Sequence, residues 1–372
     1  MAAQLKLFFS PALVRQLADD VARAHRTFPR DAFVAQATRG LTKLELLDRA
    51  RLIARALADH LPPAYPDAIG VLMKTLGPVH ATDELIGAGM DTFYYLPHTI
   101  FVAERGLEHF DLSLRAQHAL TQRFTCEFSI RAYLAADPER TIATMERWAR
   151  DPSPHVRRLV SEGTRFRLPW GTRVKWLDAH PERVLALLEV LKDDPATVVR
   201  RSVANSLNDL GKLQPALLTR TAAAWLDDAT PERRALIEHA LRSAVKRGEA
   251  DALRLLGFGK RASVAIDGVA FTPARVAIGG KVKVDFVVRS TARAPQDVLV
   301  DLVVHFARPS GRASRKVFKL KRAALPARGA LALSKQVSLA IHTTRKPHPG
   351  VHAVEVLVNG APHPIGRFEV RK

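Results

Sequence analysis

Apolar residues recur with a helical period through the first two-thirds of the chain. Over residues 181–195, Val184, Leu187, Leu188 and Leu191 fall at i, i+3, i+4 and i+7, so one face of a helix is apolar. Past Gly257-Phe258-Gly259 the pattern changes to short β-branched runs at 281–288, 298–306 and 351–358. Turn residues separate them at Gly279-Gly280, Pro309-Ser310-Gly311, 347–350 and Asn359-Gly360. About seven strands in roughly 110 residues predict a β-sandwich. The expected architecture is mainly α: a helical part over 1–258, then an all-β immunoglobulin-like sandwich over 259–372. The sandwich has no Trp and no Cys, so it lacks the antibody-type Cys–Trp–Cys signature.

The helical part repeats itself. Residues 138–158 and 181–201 match at a constant offset of 43 without a gap. Both copies carry Pro-Glu-Arg, an amphipathic stretch, Asp-Pro and then Val-Arg-Arg. A period of about 40–47 residues with two helices per unit is the range of HEAT and armadillo repeats, which stack into a solenoid. Asp-Pro is expected to open the second helix, with Asp as cap and Pro at a position that needs no N–H. Five or six such repeats fit before the sandwich, clearest from about residue 115 to about 256.

Charge adds a partner class. The chain has 57 Lys and Arg against 37 Asp and Glu, net +20. Residues 261–372 hold 20 basic and 6 acidic side chains, net +14, and the preceding 260 residues hold 37 and 31, net +6. Such an excess points to a polyanion, nucleic acid before an anionic membrane. Apolar runs stay well below the ~20 residues of a membrane helix, and no membrane partner is expected. Lys6 and the short patch Leu7-Phe8-Phe9 are too brief for a signal-peptide core, so a cytoplasmic location is expected. One cysteine, Cys126, excludes an intrachain disulfide and a multi-cysteine metal site; a buried thiol is the plainer reading. No P-loop, dinucleotide-binding glycine fingerprint, HExxH or G-x-S-x-G elbow is present. No metal or other cofactor is expected, and a monomer is the expected state.

Three segments place an Arg one to two turns before a carboxylate or amide. Arg158, Glu162 and Arg165 form one stripe opposite Val156, Leu159 and Val160. Arg201, Asn205 and Asp209 form another opposite Val203 and Leu207. Arg123, Glu127 and Arg131 show the same spacing opposite Phe124 and Phe128, as on a third helix. Stacked in a solenoid these stripes line one wall, or they are solvated i, i+4 pairs worth a few tenths of a kcal/mol each. Gly163 should end one helix before a basic loop holding Arg165, Arg167, Arg173 and Lys175, with Trp170 at its tip. The cations suit phosphates and the indole suits a sugar or base; equally, Trp170 suits a plug between helices. Trp176 reads as helix packing.

Taken together, TCEFSIR at 125–131, VRRLVSEGTRFRLPW at 156–170, LKDDP at 191–195 and VRRSVANSLNDL at 199–210 resemble the AlkC family of bacterial DNA alkylation-repair glycosylases. FTPARVAIGGKV, KVFKL and TTRKPHPGVH resemble the immunoglobulin-like tail of its longer subgroup. Two departures stand out: Phe166 replaces an expected Pro, and Ala132-Tyr133 an expected Pro-Phe. The resemblance implies a HEAT-like fold and excision of cationic alkylated bases, 3-methyladenine and 3-methylcytosine, from double-stranded DNA without flipping the base into a tight pocket. It implies that Glu127, Glu162 and Asp209 act at the lesion's deoxyribose and that Trp170 touches the sugar or backbone. Arg158, Arg165, Arg167, Arg201 and Asn205 are then DNA contacts, Arg158 also fixes Glu162, and the basic sandwich grips the duplex. Two other readings use the same residues: a HEAT scaffold that binds without catalysis, and a divalent-metal nuclease.

Overall fold

The computed structural model describes residues 5–79, 91–341 and 346–372. Fifteen α-helices precede eight strands among them. The helices are α1 (Pro11–Ala24), α2 (Arg30–Thr38), α3 (Leu46–His60), α4 (Tyr65–Lys74), α5 (Leu96–Arg105), α6 (Phe110–Thr121), α7 (Ile130–Ala136), α8 (Pro138–Trp148), α9 (Pro154–Gly163), α10 (Lys175–Ala179), α11 (Pro181–Leu191), α12 (Thr197–Leu210), α13 (Pro215–Leu226), α14 (Pro231–Arg247) and α15 (Ala250–Leu255). The strands are β1 (Val264–Thr272), β2 (Arg275–Ala277), β3 (Lys281–Ser290), β4 (Gln296–Phe306), β5 (Ser314–Leu325), β6 (Ala330–Ser338), β7 (Gly350–Val358) and β8 (Ala361–Arg371).

The 43-residue repeat is α8–α9 followed by α11–α12. Val156, Leu159 and Val160 of α9 and Val199, Val203 and Leu207 of α12 are all fully buried, as their spacing requires. The Asp-Pro pairs do not open these helices. Asp151-Pro152 and Asp194-Pro195 lie in the preceding turn, and α9 begins at Pro154 and α12 at Thr197. Each Asp instead folds the turn: Asp151 Oδ1 accepts from Ser153 N at 2.8 Å and Asp194 Oδ1 from Ala196 N at 2.9 Å.

The Val-Arg-Arg motif has two jobs. Its first arginine locks the turn: Arg157 Nη1 donates to Asp151 O and Pro152 O, and Arg200 Nη1 to Asp194 O and Pro195 O. Arg157 also forks onto the next repeat, with Nε 2.6 Å from Asp194 Oδ2 and Nη2 3.0 Å from Asp194 Oδ1. Its second arginine, Arg158 or Arg201, is left to the opposite side.

The chain forms two compact units, Met1–Leu213 with Asp228–Ala240, and Gln214–Asp227 with Leu241–Lys372. The boundary therefore does not coincide with the change of period near residue 258. In the second unit the strands form two sheets, ordered β1-β3-β6 and β2-β8-β7-β4-β5. Alternate residues of β3 (Val282, Val284, Phe286, Val288) meet β4, β7 and β8 residues such as Val300, Leu302, Val356 and Phe368 in one core. β4 is buried on both faces, because Leu299 on its outer side packs on Leu253 and Phe258. Asn359 and Gly360 both take positive φ, 48° and 77°, and turn β7 into β8 as a two-residue hairpin. The immunoglobulin-like expectation holds, with eight strands rather than about seven.

The Arg157–Asp194 fork ties the two repeats, with side chains 13% and 3% exposed. Chemical denaturation of Arg157→Ala, Asp194→Ala and the double variant should give a coupling energy of about 1–3 kcal/mol between them; a value near zero would show that the fork does not hold the register.

Candidate active site

The side opposite the turns faces a cleft of about 860 Å³ within the first unit. α9 contributes Arg158 and Glu162, and α12 contributes Arg201, Ser202 and Asn205. The loop after α9 contributes Arg165, Leu168, Pro169 and Trp170. Glu127 comes from the turn between α6 and α7, not from a helix as its spacing suggested. There Phe124 and Phe128 both line the cleft, Phe124 at only 5% exposure. Leu46, Leu47 and Phe93 supply an apolar wall from outside the repeat, which no sequence pattern marks.

Glu162 is 8% exposed, and both its oxygens are engaged. Arg165 Nη1 donates to Oε1 at 2.6 Å and Ser202 Oγ to Oε2 at 2.6 Å. Burial favours the neutral acid, but Arg158, Arg165 and the Ser202 hydroxyl outweigh it and hold the carboxyl below its usual range. Glu162 is thus an anion at neutral pH. Glu127 is held through one oxygen only: Oε2 accepts from Arg158 Nη2 at 2.9 Å and Thr125 Oγ1 at 2.8 Å. Its Oε1 has no partner among the described residues. The expected Arg158–Glu162 contact is therefore an Arg158–Glu127 ion pair, with Arg158 acting on Glu162 through its charge.

Asp209 lies behind this wall, 1% exposed, and is not part of the cleft lining. Its Oδ2 accepts from Arg165 Nε at 2.9 Å and its Oδ1 from Lys212 Nζ at 2.9 Å. Arg165, one of the expected phosphate contacts, is turned inward onto the two acids. Arg167 pairs with Asp178 at 3.0 Å, as Arg173 does, and is not part of the cleft lining. Arg201 lines the cleft, is exposed and forms no ion pair among the described residues. Asn205 lies beside it, with Oδ1 3.2 Å from His239 Nε2.

Trp170 is 69% exposed at a φ of 63°, a left-handed conformation that a bulky residue adopts at a cost of about 1–3 kcal/mol. The plug reading fails, because the indole stands out beside the cleft. Its loop is pinned from below by Arg131, itself 2% exposed. Arg131 Nη1 donates to Gly163 O and Arg165 O, and Nε to Thr172 O, gripping both ends of the loop. Trp176 stacks on His180 at 4.4 Å. Cys126 is buried, and burial pushes its thiol up to about 12, which fits an inert side chain.

Residues 265–372 match the family model described as "Uncharacterised protein YhaZ, C-terminal Ig-like domain". The chain is 31% identical over 359 residues to the uncharacterised protein YhaZ of Bacillus subtilis strain 168, covering 96% of this chain and 97% of that one. It is also similar to the structure of Pseudomonas fluorescens alkylpurine DNA glycosylase AlkC bound to DNA containing an abasic-site analogue. That match has 34% identity, all of both chains and a TM-score of 0.92. The chain belongs to the AlkC family.

The two departures from the expected AlkC motifs have structural homes. Phe166 is buried in the core at 2% exposure, and Tyr133 is buried on α7 with its hydroxyl donating to Val102 O at 2.8 Å. Neither displaces Glu127, Glu162 or Trp170 from the cleft. Sequence reasoning missed Thr125, Ser202 and Lys212. Ser202 had a signal: the 43-residue offset aligns it with Leu159, so a hydroxyl stands where the repeat carries a core leucine. Among the described residues no group of three His, Cys, Asp or Glu is placed to hold a metal ion, and no helix is long and apolar enough to cross a membrane.

Arg131→Ala should release the loop. Amide hydrogen exchange across residues 164–174 is expected to rise at least about tenfold with little change in the sandwich; equal protection in the variant would show that the loop is held otherwise.

Proposed function

We propose that this protein is a DNA glycosylase that removes cationic alkylated bases, 3-methyladenine and 3-methylcytosine, from double-stranded DNA at the start of base excision repair. One arrangement carries the reading: an ionised, cation-held Glu162 and a Glu127 with one oxygen unpartnered among the described residues share a cleft wall with Trp170 and Arg201. A chain built only to bind phosphate gains nothing from anions there. The abasic-site DNA in the similar Pseudomonas fluorescens enzyme supports the same class of substrate.

Alkylation gives the base a positive charge before the enzyme acts. As the N-glycosidic bond breaks, its electron pair neutralises the base, and positive charge develops on the deoxyribose. Glu162 stabilises that charge. Glu127, through Oε1, orients a water toward C1′ and takes its proton, leaving an abasic sugar. Asp209 acts from behind, through the cation it shares with Glu162. Trp170 meets the lesion's sugar, and Arg201 and Asn205 meet the strand. A leaving group that is already cationic needs no extrusion into a closed pocket, and its charge separates lesions from normal bases. The protein works as a monomer in the cytoplasm, on the nucleoid, without metal or cofactor.

Methylated duplex DNA incubated with the protein and a chelator should release 3-methyladenine or 3-methylcytosine, identified by mass. Glu162→Gln should slow single-turnover release by about 10²–10³-fold. No release from DNA that the protein binds would leave a non-catalytic scaffold. The second unit, rich in cations, adds a sequence-independent grip. Replacing the exposed Lys319 and Lys321 of β5 with Gln should weaken DNA binding and flatten the salt dependence of log K by about 1–2; an unchanged salt slope would show that β5 does not meet phosphate.

A further inference from the structure

Two carboxylates share one cation here. Glu162 and Asp209 are the penultimate residues of α9 and α12, neighbouring helices that pack together, and both side chains are nearly shut off from solvent. Arg165 lies between them. Its Nη1 is 2.6 Å from Glu162 Oε1, and its Nε and Nη2 are each 2.9 Å from Asp209 Oδ2. The guanidinium itself is 10% exposed, and its planar fork spans two acids, which a lysine ammonium does less well.

We propose that Arg165, bridging Glu162 and Asp209, is the positioning residue that keeps Glu162 ionised beside a second buried carboxylate, and that it thereby sets the lowest pH at which the site works. Without it, Glu162 would face the Asp209 carboxylate with no cation between them and would take up a proton at higher pH, as like charges in a shared site do. The other charged neighbours do not replace it. Arg158 faces Glu162 from α9 but is paired to Glu127, and Lys212 reaches only Asp209. Arg131 of α7 faces Arg165 but makes its hydrogen bonds to backbone carbonyls, and Arg167 of the loop is bonded to Phe166 O and Asp178. Ser202 supplies one hydrogen bond and no charge.

Glu162 is held below its usual range, so its contribution to stability is present above the unfolded value of ~4.3 and is lost as pH falls through the folded one. Removing Arg165 moves that loss to higher pH. The consequence for catalysis rests on the glycosylase reading; the consequence for ionisation does not.

The test titrates the ¹³C-labelled Glu162 carboxyl in the full chain, without DNA, in wild type, Arg165→Gln, Arg165→Lys and Arg165→Gln/Asp209→Asn. Arg165→Gln should raise the Glu162 midpoint by more than about one pH unit, and adding Asp209→Asn should reverse at least half of the rise. Arg165→Lys should shift it less in the same direction, and with Asp209→Asn it carries the test where Arg165→Gln does not fold. An unmoved midpoint, or a rise that Asp209→Asn leaves intact, overturns the proposal. In single-turnover base release, the acid limb of the pH profile should move with the midpoint. A shifted titration in an enzyme that releases no base at any pH upholds Arg165 and removes the glycosylase reading. Base release with an unmoved titration does the reverse.

Discussion

A carboxylate withdrawn from water stays ionised only if cations and hydroxyls replace the water it has lost. That requirement organises the helical unit. Glu162 needs Arg158 from its own helix, Ser202 from α12 and Arg165 from the loop beyond α9, all within hydrogen-bond or close Coulombic range. Three pieces of backbone must therefore be held in register around one side chain. The turn locks at Asp151-Pro152 and Asp194-Pro195 hold the two helices, and Arg131 holds the loop.

The repeat explains how one motif serves both ends. At a 43-residue spacing, Arg157 and Arg200 stay with the turn carbonyls while Arg158 and Arg201 reach the cleft. The copies then diverge where chemistry differs. Glu162 corresponds to Asn205, and Leu159 to Ser202, so the second copy gives up an anion and a core methyl cluster to support the anion of the first. Arg158 is paired with Glu127, whereas Arg201 forms no ion pair among the described residues.

Much of this was legible in the sequence because periodicity reports burial directly. The buried faces of α9, α11 and α12, the runs that became β3, β4 and β7, and the Asn359-Gly360 hairpin follow from spacing and turn chemistry. The resemblance to AlkC motifs pointed to Glu127, Glu162, Asp209 and Trp170; Glu127, Glu162 and Trp170 line one cleft, and Asp209 stands behind its wall. Other features were hidden for physical reasons. Phe124 and Phe128 imitate a helical period inside a turn, because a turn can also bury an aromatic. Asp-Pro signals a helix start, but the Asp side chain bonded two residues on and delayed it. The inward turn of Arg165 depends on a contact 44 residues away, which no local pattern encodes. The apolar wall from Leu46 and Leu47 comes from outside the clearest repeats, and the unit boundary cuts through a region of unbroken helical pattern.

In the proposed mechanism the Glu162 anion, with Glu127 beside it, expels a base that is already cationic. The most direct measurement places either 3-methyladenine or its uncharged analogue 3-methyl-3-deazaadenine at one position of the same duplex. Single-turnover formation of the abasic site is then followed with each. The account predicts cleavage of the N-glycosidic bond for the cation and none above background for the neutral analogue, with similar binding of both duplexes. Equal cleavage of the two, or of neither, would contradict it.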